Sequence, residues 1–297
     1  MNNILVIGSL NADLETDVDR FPQPGETLLG GPLHVSCGGK GNNQAVAASK
    51  LGANVTMLGA LGKDNFGEML FQNLQANQIN TDHILTRTNT PSATALITRS
   101  QNENHIIVTD GANNTITPDD IVAATELIKQ NDIILLQQEI PLDTQIKAIE
   151  IAHQFNKIIV LNPAPMRPLP KEVTEKVSYL LPNEHEIIAL GGSSSDTPET
   201  IILNSKTPII MTWGSKGVLY KNNHQQLQHL PAYSVPVVDS TGAGDTFCGA
   251  FCCFIHLGLE AALRKSLQAS ALSVTRAGAQ GGMPTLQELE SSDLFRT

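Results

Sequence analysis

The chain has 297 residues, 41% hydrophobic and 16% charged, a balance that excludes a disordered or fibrous protein and suits a large folded core. Its formal net charge of −10 argues against nucleic acid or an anionic membrane as partner, yet allows an anionic nucleotide held by local N–H groups and a divalent cation. No stretch reaches the about 18 apolar residues needed to span a bilayer, and Met1-Asn2-Asn3 lacks the basic start of a secretion signal, so a cytoplasmic location is expected.

From the amino end, short apolar runs at 4–8, 55–59, 133–136, 158–161, 179–181 and 209–212 suit strands buried on both faces of a parallel sheet. Between them, 42–51 is alanine-rich, and 66–75, 119–129 and 144–155 carry apolar residues at three- and four-residue spacing, which predicts helices. Thr117-Pro118-Asp119-Asp120 supplies one of them with an N-cap, a proline at the first position and acids in the first turn. Further helices are expected over 184–190 and 247–257. The alternation predicts an α/β fold with a doubly wound, mostly parallel sheet flanked by helices, in one domain over 1–297.

Two segments interrupt this pattern. Residues 13–35 hold a turn at Phe21-Pro22-Gln23-Pro24-Gly25-Glu26 between two extended arms, and 93–109 reads as a hairpin with its tip at 100–104. Together they predict a small projecting β-sheet that acts as a lid. Residues 216–230 form a third hairpin turning at Asn222-Asn223, and 191–196 is low in complexity. Cys37, Cys248, Cys252 and Cys253 form no CxxC pair and read as buried small hydrophobes in a reducing compartment. The eight histidines form no cluster.

The segment with most chemical content is Asp239-Ser240-Thr241-Gly242-Ala243-Gly244-Asp245. An extended arm, then small residues, then a helix aims free backbone N–H groups at an anion. A carboxylate in that first turn repels a phosphate unless it accepts a proton from an attacking hydroxyl. The competing reading makes Asp245 only a helix-stabilising acid, and the local pattern does not choose between them. A nicotinamide-dependent dehydrogenase is disfavoured, because Gly8-Ser9-Leu10-Asn11 follows the first strand where Gly-x-Gly-x-x-Gly is needed.

Taken jointly, Asp239 to Asp245 followed by Thr246-Phe247, Gly38-Gly39-Lys40-Gly41-Asn42-Asn43-Gln44-Ala45, Asn183-Glu184-His185-Glu186 and Thr212-Trp213-Gly214-Ser215-Lys216-Gly217 resemble the ordered signatures of the ribokinase-like (PfkB) carbohydrate kinases. Asn11-Ala12-Asp13 and Asn162-Pro163-Ala164-Pro165 extend the likeness over the whole chain. The resemblance implies transfer of the γ-phosphoryl group of ATP to a sugar's primary hydroxyl, with D-ribose to ribose 5-phosphate foremost. Deoxyribose, another sugar or a nucleoside is the alternative acceptor, and a non-catalytic sugar- or nucleotide-binding regulator the alternative of another class.

By that resemblance Asp245 is the general base, and the backbone amides of Gly242, Ala243, Gly244 and Asp245 form the anion hole. Asn11, Asp13, Gly39, Lys40, Asn43 and Glu139 join Asp245 in binding the sugar. Asn183 and Glu186 organise Mg²⁺ and its waters, while Thr212, Gly214, Ser215, Gly217 and Gly244 contact the nucleotide. Trp213 is a weaker candidate for adenine stacking. Asp239, Thr241, Ser273, Arg276, Gly278 and Gly282 would hold K⁺ or another monovalent cation, with a departure at Gly282, where the family usually has serine. A second departure lies at Leu267 or Gln268, near the expected adenosine contact. A homodimer through the lid sheet is also implied.

Overall fold

The computed structural model describes residues 2–101, 103–191 and 195–295. Asn102 in the expected hairpin tip, residues 192–194 of the low-complexity stretch, and the chain-end residues 1 and 296–297 lie outside the described residues.

The first half of the chain forms β1 (Asn3–Ile7), β2 (Asn11–Asp17), β3 (His34–Gly38), α1 (Lys40–Lys50), β4 (Asn54–Gly62), α2 (Asn65–Ala76) and β5 (Asn80–Arg87). Next come β6 (Ala93–Ser100), β7 (Glu103–Thr109), α3 (Pro118–Ala123), α4 (Thr125–Gln130), β8 (Ile133–Gln137), α5 (Leu142–Gln154) and β9 (Ile158–Asn162). The remainder supplies α6 (Lys171–Thr174), β10 (Tyr179–Leu180), α7 (Pro198–Asn204), β11 (Ile210–Thr212), β12 (Val218–Lys221) and β13 (Leu227–Leu230). It ends with α8 (Ala243–Phe254), α9 (Leu259–Ser273) and α10 (Leu286–Ser291).

Six strands form the central parallel sheet in the order β10-β9-β8-β1-β4-β5. Parallel bridges at Leu180–Ile209 and Asn183–Thr212 carry it on to the antiparallel β11-β12-β13 sheet. Strand periodicity explains the two cores. Along β1, Ile4 and Val6 face one cluster with α1, α2, α8 and α9, while Leu5 and Ile7 face another with α3, α4, α5 and α7. Burial on both faces is why these strands read as unbroken apolar runs. Among the described residues, no helix is long and apolar enough to cross a membrane.

The second sheet, β3-β2-β6-β7, comes from the two interrupting segments. Its hairpins are antiparallel, and β2 joins β6 in parallel. Three expectations are corrected. The helix over 119–129 is two, because the backbone flattens at Ala124 and the Thr125 hydroxyl bonds back to Val122 O at 2.7 Å. The helix over 184–190 is a side-chain-closed turn at Asn183–Glu186 followed by a 3₁₀ turn at Ile187–Leu190. The helix expected to begin at Phe247 begins at Ala243 and gives way at Ile255 to a 3₁₀ turn.

The sheet order reverses around β1, so the carboxyl ends of β1, β8 and β9 open into one crevice, the place where such sheets hold ligands. Helices α1 and α8 pack side by side along it. Gly249 makes that possible, since a Cβ there would lie 2.6 Å from Gln44 O and 2.8 Å from the Ala47 side chain. We expect Gly249→Ala to force the helices apart and cost about 1–3 kcal/mol, read as a lowered urea midpoint with an unchanged slope.

Candidate active site

Residues from the two cores converge at the start of α1. The helix begins after Gly39, which offers no side-chain cap. The missing cap comes from β8's end, where Glu139 Oε2 accepts from Lys40 N at 2.9 Å and from the Ser9 hydroxyl. Ser9 Oγ in turn accepts from Gly41 N at 3.2 Å. Glu139, expected as a sugar contact, therefore also anchors the glycine-rich turn to β1. A carboxylate against helix N-terminal N–H groups is electrostatically favourable.

Asp13 lies across from this turn. It is near enough to Gly38 that a Cβ there would meet Asp13 Oδ2 at 2.0 Å. Burial pushes its carboxyl up to about 7, helped by the negative charges of Glu15, Glu139 and Asp245. Asn11 is buried, and its Oδ1 accepts from Asn113 Nδ2 at 2.8 Å. Asn113 Oδ1 also accepts from Leu10 N at 3.1 Å. That pairing turns the Asn11 amide so that its own N–H₂ remains available as a donor.

Asp245 sits in the first turn of α8 with only 9% exposure. Its two carboxylate oxygens accept from Asn43 Nδ2 at 3.0 Å and Gln44 Nε2 at 2.9 Å. Burial raises its pKa, opposed by Lys40, Gln44 and Asn43. Burial likewise works against the Lys40 charge, but Asp245, Glu139 and Glu186 outweigh it and raise its pKa, so the ammonium is kept. Before α8, Gly242 adopts the left-handed conformation with φ 76°, and Ala243 N closes a turn onto Ser240 O at 3.2 Å. The N–H groups of Gly244 and Asp245 make no hydrogen bond among the described residues.

A pocket of about 150 Å³ gathers Lys40, Asn183, Glu186, Thr212 and residues Gly242 to Asp245 on one surface. Asn183 and Glu186 form a reciprocal turn: Asn183 Oδ1 accepts from Glu186 N at 2.8 Å, and Glu186 Oε1 from Asn183 Nδ2 at 3.0 Å. Burial holds the Glu186 carboxyl above its ordinary range despite the Asn183 N–H and Lys40. Gly214 and Ser215 occupy an exposed turn beyond β11 and do not line this pocket, while Gly217 is buried against β13's end. Trp213 packs half-buried on the core with Lys216 Nζ 4.2 Å from its ring centre. Leu267 belongs to the core, and Gln268 Nε2 points to Tyr233 Oη at 3.4 Å.

The residues named for a monovalent cation also assemble. Asp239 accepts from Thr241 N at 2.9 Å and Gly278 N at 2.8 Å, which hold its carboxyl below the ordinary range although burial works the other way. The Ser273 and Gly278 carbonyls converge on Gly282, where a Cβ would meet Ser273 O at 2.1 Å. Serine does not fit there without backbone movement. The Arg276 side chain pairs with Glu288 at 2.9 Å, whereas the cation reading concerns its carbonyl.

Sequence reasoning passed over Ser9, Asn113, Gln137, Asn162 and Gln280 as site residues, and quoted Gln44 without a role. The available signal was polar side chains inside apolar elements, as where Gln137-Gln138 closes the run Ile133-Ile134-Leu135-Leu136.

Residues 1–286 match the model of the pfkB family carbohydrate kinases. The chain is 43% identical to the ribokinase of Bacillus subtilis strain 168, over 98% of this chain and 99% of that protein. A crystal structure of ribokinase from Thermotoga maritima superposes with a TM-score of 0.89 at 33% identity, covering 98% of this chain and 99% of that one. The structure of Arabidopsis thaliana ribokinase complexed with ribose and ATP gives 0.90 at 29% identity, covering 100% and 99%.

The elevated Asp13 pKa sets a sign for stability. A buried acid that holds its proton to about 7, against 3.8 when free, binds more protons folded than unfolded across that interval. Its contribution is fully present below the free value and is lost as pH rises towards about 7. We expect the unliganded protein to lose stability relative to Asp13→Asn over that window in urea titrations, with the difference constant at higher pH.

Proposed function

The chain belongs to the pfkB family of carbohydrate kinases, and from that membership we propose that it transfers the γ-phosphoryl group of ATP to the primary hydroxyl of D-ribose, with Asp245 as general base. The observation that carries the assignment of the base is a buried carboxylate held by two amides in the first turn of α8, beside free backbone N–H groups and Lys40.

In this reading ribose lies between the glycine-rich turn and β2. Asp13 and the free amide of Asn11 take ring hydroxyls, and Asn43 and Glu139 border the same space, as does the Gly39-Lys40 backbone. Asp245 withdraws the proton of the primary hydroxyl as that oxygen attacks the γ-phosphorus. The Gly244 and Asp245 N–H groups, with Gly242 and Ala243 shaping the loop, face the charge spreading over the phosphoryl oxygens, and the Lys40 ammonium offsets it. Thr212, Gly214, Ser215 and Gly217 border the nucleotide. The β3-β2-β6-β7 sheet closes over ribose and keeps water from competing as the nucleophile.

Two cations fit the residues present. The Asn183–Glu186 turn presents an elevated carboxylate to the phosphate pocket and suits hydrated Mg²⁺, which neutralises phosphate charge when bound. Asp239, Thr241 and the carbonyls around Gly282 are oxygen donors, suited to a hard monovalent ion such as K⁺ that steadies the anion-hole loop. Edge strand β7, with Ile106, Ile107 and Val108 about half exposed or more across its two faces, supports a homodimer through this sheet.

Ribose-dependent ADP release tests the reading. Asp245→Asn should lose about 10²–10⁴-fold in kcat while still binding ribose and ATP by calorimetry. Near-normal turnover in that variant would remove Asp245 from the role. For the assembly, Ile107→Lys should convert a dimer to a monomer in sedimentation velocity, and an unchanged sedimentation coefficient would place the interface elsewhere.

A further inference from the structure

Five carboxamides form two strings on either side of Asp245, each with a single direction, and a sixth, Asn162, branches off Gln44. On one side Gln44 Nε2 donates to Asp245 Oδ1 at 2.9 Å and to Asn162 Oδ1 at 3.0 Å, while Gln44 Oε1 accepts from Gln137 Nε2 at 2.7 Å. On the other, Asn43 Nδ2 donates to Asp245 Oδ2 at 3.0 Å, Asn43 Oδ1 accepts from Gln280 Nε2 at 3.0 Å, and Gln280 Oε1 accepts from Asn73 Nδ2 at 3.0 Å. Along the two strings Gln137–Gln44 and Asn73–Gln280–Asn43 every link points its N–H towards the carboxylate, and only the side branch from Gln44 to Asn162 points outward. Both strings end on a buried oxygen that has no donor among the described residues, Gln137 Oε1 and Asn73 Oδ1.

That polarity has a simple cause. An ionised carboxylate only accepts, so the amides beside it must donate, and each neighbour outward must then do the same. Each orphan acceptor carries a desolvation penalty, which the donors gathered at the central carboxylate offset. The strings span the molecule: Gln137 is on β8, Gln44 and Asn43 on α1, Asn73 on α2, and Gln280 in the loop after α9.

Resting on the reading of Asp245 as general base, we propose that Gln44 and Gln280 are positioning residues of the phosphoryl transfer. They fix the Asp245 carboxylate in its ionised, proton-accepting form, Gln44 directly and Gln280 by orienting the Asn43 amide. Gln280 stands between Gly278 and Gly282, so the loop that carries the candidate cation carbonyls is mechanically tied to the base through Asn43. Any shift of that loop withdraws or restores an N–H on Asp245. The charged and titratable groups around Asp245 are Lys40 on α1, Glu139 after β8, Glu186 after β10, Asp13 on β2 and Cys248 on α8. None of them is altered by the substitutions that test the proposal.

The test is the pH dependence of kcat/KM for ribose, measured with ATP at fixed K⁺, in the whole protein. The acid limb marks loss of the ionised base, so removing a donor should move it to higher pH, with about a tenfold loss on the acid side for each unit of displacement. Gln280→Met keeps the length and removes the donor, and should displace the limb upward. Gln280→Glu places an acceptor against Asn43 Oδ1, turns that amide away, and should displace it further. Gln44→Met, at a fully buried position, is a companion wherever it folds, and the half-exposed Gln280 variants carry the test regardless. A limb that stays in place while the plateau or Tm falls equally at every pH assigns these residues a structural role and overturns the proposal. Asp245→Asn is run alongside. If it is inactive while the limb is unmoved in both Gln280 variants, only the positioning idea fails; if it remains active, the base assignment fails and takes this one with it.

Discussion

Burying a carboxylate is the constraint around which this molecule is organised. An ion moved out of water must recover its lost hydration from fixed donors and a counter-charge, or it takes up a proton instead. Asp245 obtains Asn43 and Gln44 from the first turn of α1, and Lys40 from the residue where that helix starts. None of these lies on its own helix. The arrangement exists because α8 rests against α1 through Gly249, one turn beyond Asp245, which brings the two backbones close. Glycine at that position is thus as much a determinant of the site as the polar groups themselves.

The same constraint separates the crevice into two electrostatic halves. Asp13, Glu15 and Glu139 lie towards the projecting sheet, and their mutual repulsion together with burial is why Asp13 holds its proton so high. A neutral polyol, with several hydroxyl donors, is the kind of molecule that relieves such a cluster; a polyphosphate is not. Facing it lie Lys40, the N–H groups opening α8 and the oxygen clusters around Glu186 and Asp239, the setting proposed above for phosphate and cations. Lys40 stands at the boundary, coupled to Asp245, Glu139 and Glu186 at once.

Much of this was legible before any coordinates. Apolar runs of four or five residues located the buried parallel strands within a residue or two at most ends, because burial on both faces leaves no room for polar alternation. β4 runs on to Gly62, beyond its expected end. The hairpin at 93–109 emerged with its bounds intact as β6 and β7, and the glycine-rich segment and Lys40 turn proved to share one pocket. The failures have local causes. β5 and α9 were not assigned, the first because its residues are mixed in burial and lack a clean period. Asn183 and Glu186 bond to each other instead of starting a helix, an outcome that depends on two side chains turning inward. Asn113 and Gln280 lie in a 3₁₀ turn and a loop far along the chain from the side chains they orient, and spacing carries no information on such pairings.

The proposed role of Asp245 as a base turns on a balance of forces at the start of α8. The N-terminal N–H groups and the helix dipole favour an anion there by about 0.3–1 kcal/mol, more where partly buried. Burial opposes them, and Asp245 ends with a raised pKa. A fully stabilised carboxylate would be a poor proton acceptor, and a fully desolvated one would already hold its proton at neutral pH. Two amide donors and one lysine oppose the burial that raises the Asp245 pKa, so both influences act on the one carboxyl. In the proposed reaction the phosphates of ATP would compete for the same helix-end N–H groups and for Lys40, withdrawing part of what stabilises the anion. With Asp245 as the proposed base, its proton affinity would then rise as the sugar hydroxyl gives up its proton, and the amides of Asn43 and Gln44 would keep the carboxylate aimed.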